Sequence, residues 1–242
     1  MKIIGSKKEI GELAARLSGT FHEKGMQAMV AQLHTSVLKR KVRFPVLEFL
    51  TETLAAVVPG KEQLAFTDAV VALDEIGSYV IAGKMLQLRM EKNFSQSFEK
   101  ACSYFEQGDE WYVCDIIGER VFGVALLRWP EKTIPVLRKN TQHPGRWVVR
   151  SVGVATHYAV KKGLPRPFVD EMFGLLLTRA NANEFHTRRG IGWGAKTIAK
   201  FYPDIISSRT EEIENAAPGT WFRTKIKIGL GRASKYAGRF SQ

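Results

Sequence analysis

Three short stretches carry residues whose types and spacing could do chemistry. Trp111 and Asp115 stand four apart, Trp147 and Arg150 three apart, and Arg189 and Trp193 four apart, so on helices each pair shares a face. Aromatic, acidic and basic side chains at the openings of successive helices would converge on one groove able to hold a charged ligand. A packing explanation covers part of the same set: Trp111, Trp147 and Trp193 as core residues, with Asp115 and Arg150 a solvated pair between neighbouring helices. For Trp147 packing is the favoured reading. Trp193 differs, because it follows Arg188 and Arg189 and is flanked by Gly192 and Gly194, which leave its ring free to project. Other catalytic signatures are absent: there is no G-x-x-x-x-G-K-[ST], G-x-S-x-G or H-E-x-x-H, and His22, His34, His143, His157 and His186 have no ligand spacing. Neither a metal nor a cofactor is expected. The glycines between Gly190 and Gly194 fit close helix packing better than phosphate cradling.

The elements that must position these residues are helices. Apolar residues recur at three and four, as in Leu47, Leu50, Leu54 and Val58, and strict alternation is hard to find. Breakers such as Pro59-Gly60, Gly108-Asp109, His143-Pro144-Gly145 and Pro218-Gly219 separate them. These breakers are periodic. Helix-opening aromatics stand at Trp111, Trp147, Phe185 and Trp221, and a second series, Pro130, Pro165 and Pro203, follows the ends of the helices they open. Each unit is therefore a helix pair. Pairs of this length bury both faces only by stacking, which predicts an all-α, HEAT-like repeat solenoid of stacked antiparallel helix pairs with a concave basic groove. The reading is a single domain over 1–242, with a diverged N-terminal cap over 1–75, repeats over 76–230 and a flexible basic tail over 231–242.

Charge points to the partner. The net charge is +12, and residues 146–242 hold 17 Lys and Arg against 7 Asp and Glu, with no acid beyond Glu214. A half so basic favours a polyanion, because neutralising phosphates releases counterions. No run of about 20 uncharged apolar residues is present, and the first residues lack a signal-peptide core. Cys102 and Cys114 form neither a disulfide framework nor a C-x-x-C pair. A soluble, cytoplasmic, monomeric protein is expected, with no membrane partner.

At these residues the chain resembles the bacterial AlkD-type DNA alkylation-repair glycosylases, which are built from HEAT-like repeats. The resemblance runs from Lys41-Val-Arg-Phe-Pro-Val-Leu47 through Glu110-Trp-Tyr-Val-Cys-Asp115, Trp147-Val-Val-Arg-Ser151 and Gly190-Ile-Gly-Trp193. It implies a monofunctional glycosylase that excises cationic N3- or N7-alkylated purines from double-stranded DNA without a cofactor. By that resemblance Trp111 and Trp193 cradle the sugar and backbone of the damaged nucleotide, Asp115 is the catalytic carboxylate and Arg150 holds a phosphate. Tyr112, Trp147, Arg188, Arg189, Lys225 and Lys227 complete the DNA-binding set. The physics is consistent: an alkylated purine is already a good leaving group, and a carboxylate with aromatic faces stabilises the cation building on the sugar. One carboxylate suffices because the leaving group needs no proton, unlike the acid and base pair of ordinary glycosidases. Tyr112 stands where the family commonly doubles the aromatic.

Two other classes fit the same residues: a non-catalytic HEAT-like protein that binds damaged or branched DNA, and a protein-binding scaffold, for which a basic C-terminal half is not needed. A carboxylate locked to Arg150 away from any groove would favour the binder. No deep cavity is evident, so lesion choice should follow the charge of the adduct rather than its shape, and Glu110 and Glu119 are poor candidates for a second, proton-donating acid.

Overall fold

The computed structural model describes residues 4–236, and among them the architecture is all-α, as the apolar spacing implies. The one β feature there is an isolated bridge between Ile4 and Val42. The described residues form two compact units, divided between Tyr104 and Phe105. That division lies within the stretch 76–230 assigned above to repeats. Of the expected tail at 231–242, residues 237–242 lie outside the described ones. Ala233–Tyr236 form a 3-10 turn with the Tyr236 ring 5.1 Å from Phe201.

The first unit begins with α1 (Lys7–Leu33), whose N-terminus is capped by Ser6, the hydroxyl accepting from the Glu9 N–H at 3.2 Å. A backbone angle φ of 79° at Gly25 breaks α1 in two, a conformation open mainly to glycine. A π-helical turn (His34–Leu38) follows, then α2 (Phe44–Val57), α3 (Gln63–Val71), α4 (Ile76–Arg89) and α5 (Phe94–Gly108). The apolar positions at spacings of three and four are the buried ones: Leu47, Leu50 and Leu54 of α2 and Phe66 and Val70 of α3 pack with Tyr79 and Met85 of α4. The two buried phenols have partners, that of Tyr79 donating to Asp74 and that of Tyr104 to Asp68, at 2.6 and 2.7 Å.

The second unit contains α6 (Trp111–Gly118), a π-helical turn (Glu119–Gly123), α7 (Val124–Arg128), α8 (Pro130–Asn140), α9 (Arg146–Lys161), α10 (Arg166–Leu177), α11 (Phe185–Phe201), α12 (Pro203–Ser208), α13 (Thr210–Asn215) and α14 (Thr220–Leu230). The periodic aromatics occupy equivalent places. Trp111 and Phe185 are the first residues of α6 and α11, and Trp147 and Trp221 the second residues of α9 and α14. Pro130 and Pro203 open α8 and α12, where a missing N–H costs nothing, and Pro165 precedes α10. Within this unit α6 packs on α9, α9 on α11, and α11 on α14.

The α9–α11 contact is the closest of these, and glycines set it. A Cβ on Gly153 would lie 1.9 Å from the Gly190 carbonyl oxygen, and one on Gly190 would lie 2.5 Å from the Arg150 carbonyl oxygen. A Cβ on Gly194 would come within 3.0 Å of the Gly153 carbonyl oxygen. Backbone therefore meets backbone along this seam, and Arg150 of α9 lies directly against the turn of α11 that leads to Trp193.

Candidate functional site

In the second unit an open cavity of about 430 Å³ is lined by Trp111, Arg150, Phe185, His186, Arg189, Trp193, Lys196 and Lys225. Helix ends and turns explain how these side chains meet. Trp111 opens α6 and is 52% exposed, so its ring is a wall facing solvent. Arg150 lies in the second turn of α9. Phe185, His186 and Arg189 come from the first turns of α11, where the Glu184 carboxylate caps the helix by accepting the N–H groups of His186 and Thr187 at 3.0 and 2.6 Å. Burial pushes the Glu184 carboxyl up, and these two backbone donors more than offset it, holding it below the usual range. Trp193 and Lys196 follow on the same face of α11. Lys225 reaches in from α14, its stem crossing Gly192, where a Cβ would meet it at 2.8 Å. The shallow groove expected from sequence is thus a defined, open cleft.

Asp115 lies one turn beyond Trp111 and is held by Arg150 in a fork. The guanidinium Nε donates to Oδ1 and Nη2 to Oδ2, both at 2.8 Å, while Nη1 donates to the His186 carbonyl at 3.3 Å. Both partners are largely buried, with side-chain exposures of 8% for Arg150 and 14% for Asp115. Three of the five Arg150 donors are consequently committed, and its first role is to orient the carboxylate. The pair is not remote from the cleft, because Arg150 itself lines it. Each carboxylate oxygen keeps an acceptor site beyond the fork.

Trp193 is half-buried and lies nearly parallel to His157 of α9, with ring centroids 4.0 Å apart and planes at 24°. His157 Nδ1 is 2.7 Å from the Thr197 hydroxyl, which donates to the Trp193 carbonyl at 2.9 Å. With the hydroxyl proton used there, Nδ1–H is the donor of the imidazole–hydroxyl bond. Burial, followed by the charges of Lys161, Lys196 and Lys200, holds His157 down to about 4. It is therefore a neutral shelf beneath the indole at neutral pH.

Several residues singled out from sequence stand elsewhere. Trp147 is buried, donating its indole N–H to Asp109 at 2.7 Å and stacking against His186 at 4.3 Å. Its contact with His186 is tilted, the planes at 51°, and its burial leaves no surface for a ligand. That bond, with one from Arg146, keeps the Asp109 carboxyl low. Tyr112 meets Trp111 edge-on and does not line the cavity. The Arg188 guanidinium lies 5.7 Å from the Trp221 ring, whereas Arg189 lies over Phe185 at the cleft. Lys227 is exposed on α14 away from the lining, and Arg223 of the same helix is paired with Glu214. Glu110 is an exposed residue preceding α6, and Glu119 begins the π-helical turn.

Phe185, His186, Lys196 and the shelf His157 were not among the residues read as functional. Phe185 carried a signal, being one of the periodic helix-opening aromatics, and Lys196 follows Trp193 at helical spacing. His157 carried none, because its contact with Trp193 spans two helices. Among the described residues no group of three or more His, Cys, Asp or Glu is placed to hold a metal, and no helix is long and apolar enough to cross a membrane. No curated protein and no solved structure matches the chain. The family model of the DNA alkylation repair enzymes matches residues 22–225, and the chain belongs to that family.

Proposed function

We propose that the protein is a DNA glycosylase that removes cationic N3- or N7-alkylated purines from duplex DNA. The observation that supports the reading is that Asp115 is held in a fork by Arg150, a residue that itself lines the cleft together with Trp111 and Trp193. Breaking the glycosidic bond of a cationic purine develops positive charge on the sugar as the base departs neutral. The Asp115 carboxylate stabilises that charge and orients the attacking water, while the indole faces present their negative quadrupoles to it. Arg150 keeps the carboxylate in place before substrate arrives, so little reorganisation is needed in the transition state. Arg189 and Lys225 supply positive charge for the flanking phosphates. His186 and Phe185 complete the apolar rim.

Base release from a duplex carrying 7-methylguanine, a bulkier N7 adduct and hypoxanthine tests the reading. Both cationic purines should be released, since the cleft is open and the adduct need not be enclosed. Hypoxanthine should stay, because its departure requires a proton. Efficient hypoxanthine release, or rejection of the bulky cation alone, would mean that shape decides and would sink the mechanism. A non-catalytic DNA-binding protein is favoured by one specific observation: both Asp115 oxygens already face a guanidinium, which offsets part of the charge that catalysis needs. Absence of any base release with duplex affinity intact would select it.

A further inference from the structure

Lys196 stands three residues beyond Trp193 on α11, about one turn along the same face, and lines the cavity that also holds Trp111 and Arg150. Its charged neighbours are all cations: Lys200 on α11, Lys225 on α14 and Arg232 beyond it. No carboxylate pairs with it among the described residues. Burial, and then these three charges, hold its ammonium below the ordinary lysine range, which raises the share of free amine. An amine of this kind inside a reaction cleft is a nucleophile towards carbonyl carbon.

The reaction proposed above leaves such a carbon in the same place. Loss of the base gives an abasic deoxyribose, and its ring-opened form carries an aldehyde at C1′. We propose that Lys196 attacks the C1′ aldehyde of an abasic site and gives the protein a strand-cleaving lyase activity. The proposal rests on the reading of this cleft as the deoxyribose site. It goes beyond a monofunctional glycosylase, for which water is the sole nucleophile.

The free amine Nζ adds to C1′, and one of its protons passes to the carbonyl oxygen to give a carbinolamine. A proton taken from water lets that oxygen depart as water and leaves a protonated imine between Nζ and C1′; the proton balance closes when C2′ later returns one to water. The iminium acidifies C2′. Loss of a C2′ proton to water and cleavage of the C3′–O bond then expel the 3′ phosphate as a monoester. Water finally adds to the imine and frees Lys196, with an unsaturated aldehyde left on the other strand end. No electrons are gained or lost in the sequence, so no oxidant or reductant is consumed.

The test uses the full chain and a duplex with a preformed abasic site, with sodium borohydride present to reduce the imine. The wild-type protein should form a covalent adduct that survives denaturing electrophoresis, and peptide mapping should place the adduct on Lys196. Without borohydride the strand should be nicked at the abasic site. Lys196→Arg keeps the positive charge and removes the amine chemistry, so adduct and nick should both be lost. Affinity for the abasic duplex, measured alongside, separates that loss from a loss of binding. No wild-type adduct, an adduct mapped to another lysine, or undiminished trapping by Lys196→Arg would each overturn the proposal. The preformed site makes the test independent of base excision: trapping without base release rejects the glycosylase reading alone, and base release without trapping rejects the lyase alone.

Discussion

Gly153→Ala probes the α9–α11 seam that brings Arg150 against the helix bearing Trp193. The added methyl would lie 1.9 Å from the Gly190 carbonyl oxygen, far inside the 3.4 Å at which ordinary contact begins. Both sides of this contact are helix backbone, so no rotamer change relieves it and the two helices must move apart. Overpacking of this kind costs about 1–3 kcal/mol, and a backbone obstacle puts it near 3 kcal/mol. For a chain of this size that is a fall in Tm of about 6–12 °C. Function should suffer more than stability. Displacing catalytic groups by about 1 Å costs on the order of 10²-fold in rate, and α11 carries one wall of the cleft while α9 carries Arg150. Gly118→Ala is the control, since its Cβ would meet side-chain atoms and no backbone, Val154 Cγ1 at 3.2 Å, Val154 Cβ at 3.6 Å and Ser151 Cβ at 3.9 Å, and alanine favours the helix by up to about 1 kcal/mol. Differential scanning calorimetry and base release on both variants decide the matter. A Gly153→Ala protein with wild-type Tm and rate, or a Gly118→Ala protein damaged equally, would refute the argument from the seam.

Stability should also depend on pH through His157, which is held to about 4 when folded against an ordinary 6.5. The unfolded chain then binds the extra proton between those values, so this contribution is complete above about pH 6.5 and is lost as pH falls towards 4. It amounts to on the order of 3 kcal/mol, and His157→Gln should flatten the fall in Tm over that window; an unchanged pH profile in the variant would contradict the buried neutral shelf. Arg189→Gln and Lys225→Gln should each reduce the slope of log affinity against log salt for undamaged duplex by about 0.9, whereas Arg223→Gln, which removes a cation already paired with Glu214, should leave the slope alone. Equal effects from all three would show that the cleft does not set phosphate contact. Arg150→Gln should destabilise the protein by about 3 kcal/mol, because it strands the mostly buried Asp115 carboxylate without its fork; thermal melts showing no loss would mean that the pair is more hydrated than its burial implies.

Local rules made much of this architecture legible. The aromatics at Trp111, Trp147, Phe185 and Trp221 and the prolines at 130, 165 and 203 mark helix openings because capping and proline sterics act over one turn. Spacing likewise put Trp111 and Asp115 on one face, and the glycines around Trp193 do serve close approach. What spacing could not show were contacts made across helices. The His157 shelf beneath Trp193 and the Asp109 carboxylate that receives the Trp147 indole N–H each join residues more than thirty positions apart, whereas the burial of Trp147 and the pairing of Asp115 with Arg150 are within reach of a packing reading of the sequence. The pairing of Arg223 on α14 with Glu214 on α13, only nine positions apart, also crosses between helices and removes a cation from a run that reads as uniformly available. The break in α1 at Gly25 and the π-helical turns at His34–Leu38 and Glu119–Gly123 arise within helical patterns that continue unchanged in sequence.

The central claim is that the Asp115 carboxylate stabilises the cation formed as an alkylated purine leaves. Single-turnover release of 7-methylguanine from duplex DNA by the wild type and by Asp115→Asn measures it most directly, with affinity for undamaged duplex as the check that the fold survives. Asparagine keeps the shape of the side chain but removes the charge, and the account predicts a rate lower by about 10²-fold or more with affinity retained. Release by Asp115→Asn at the wild-type rate would contradict it.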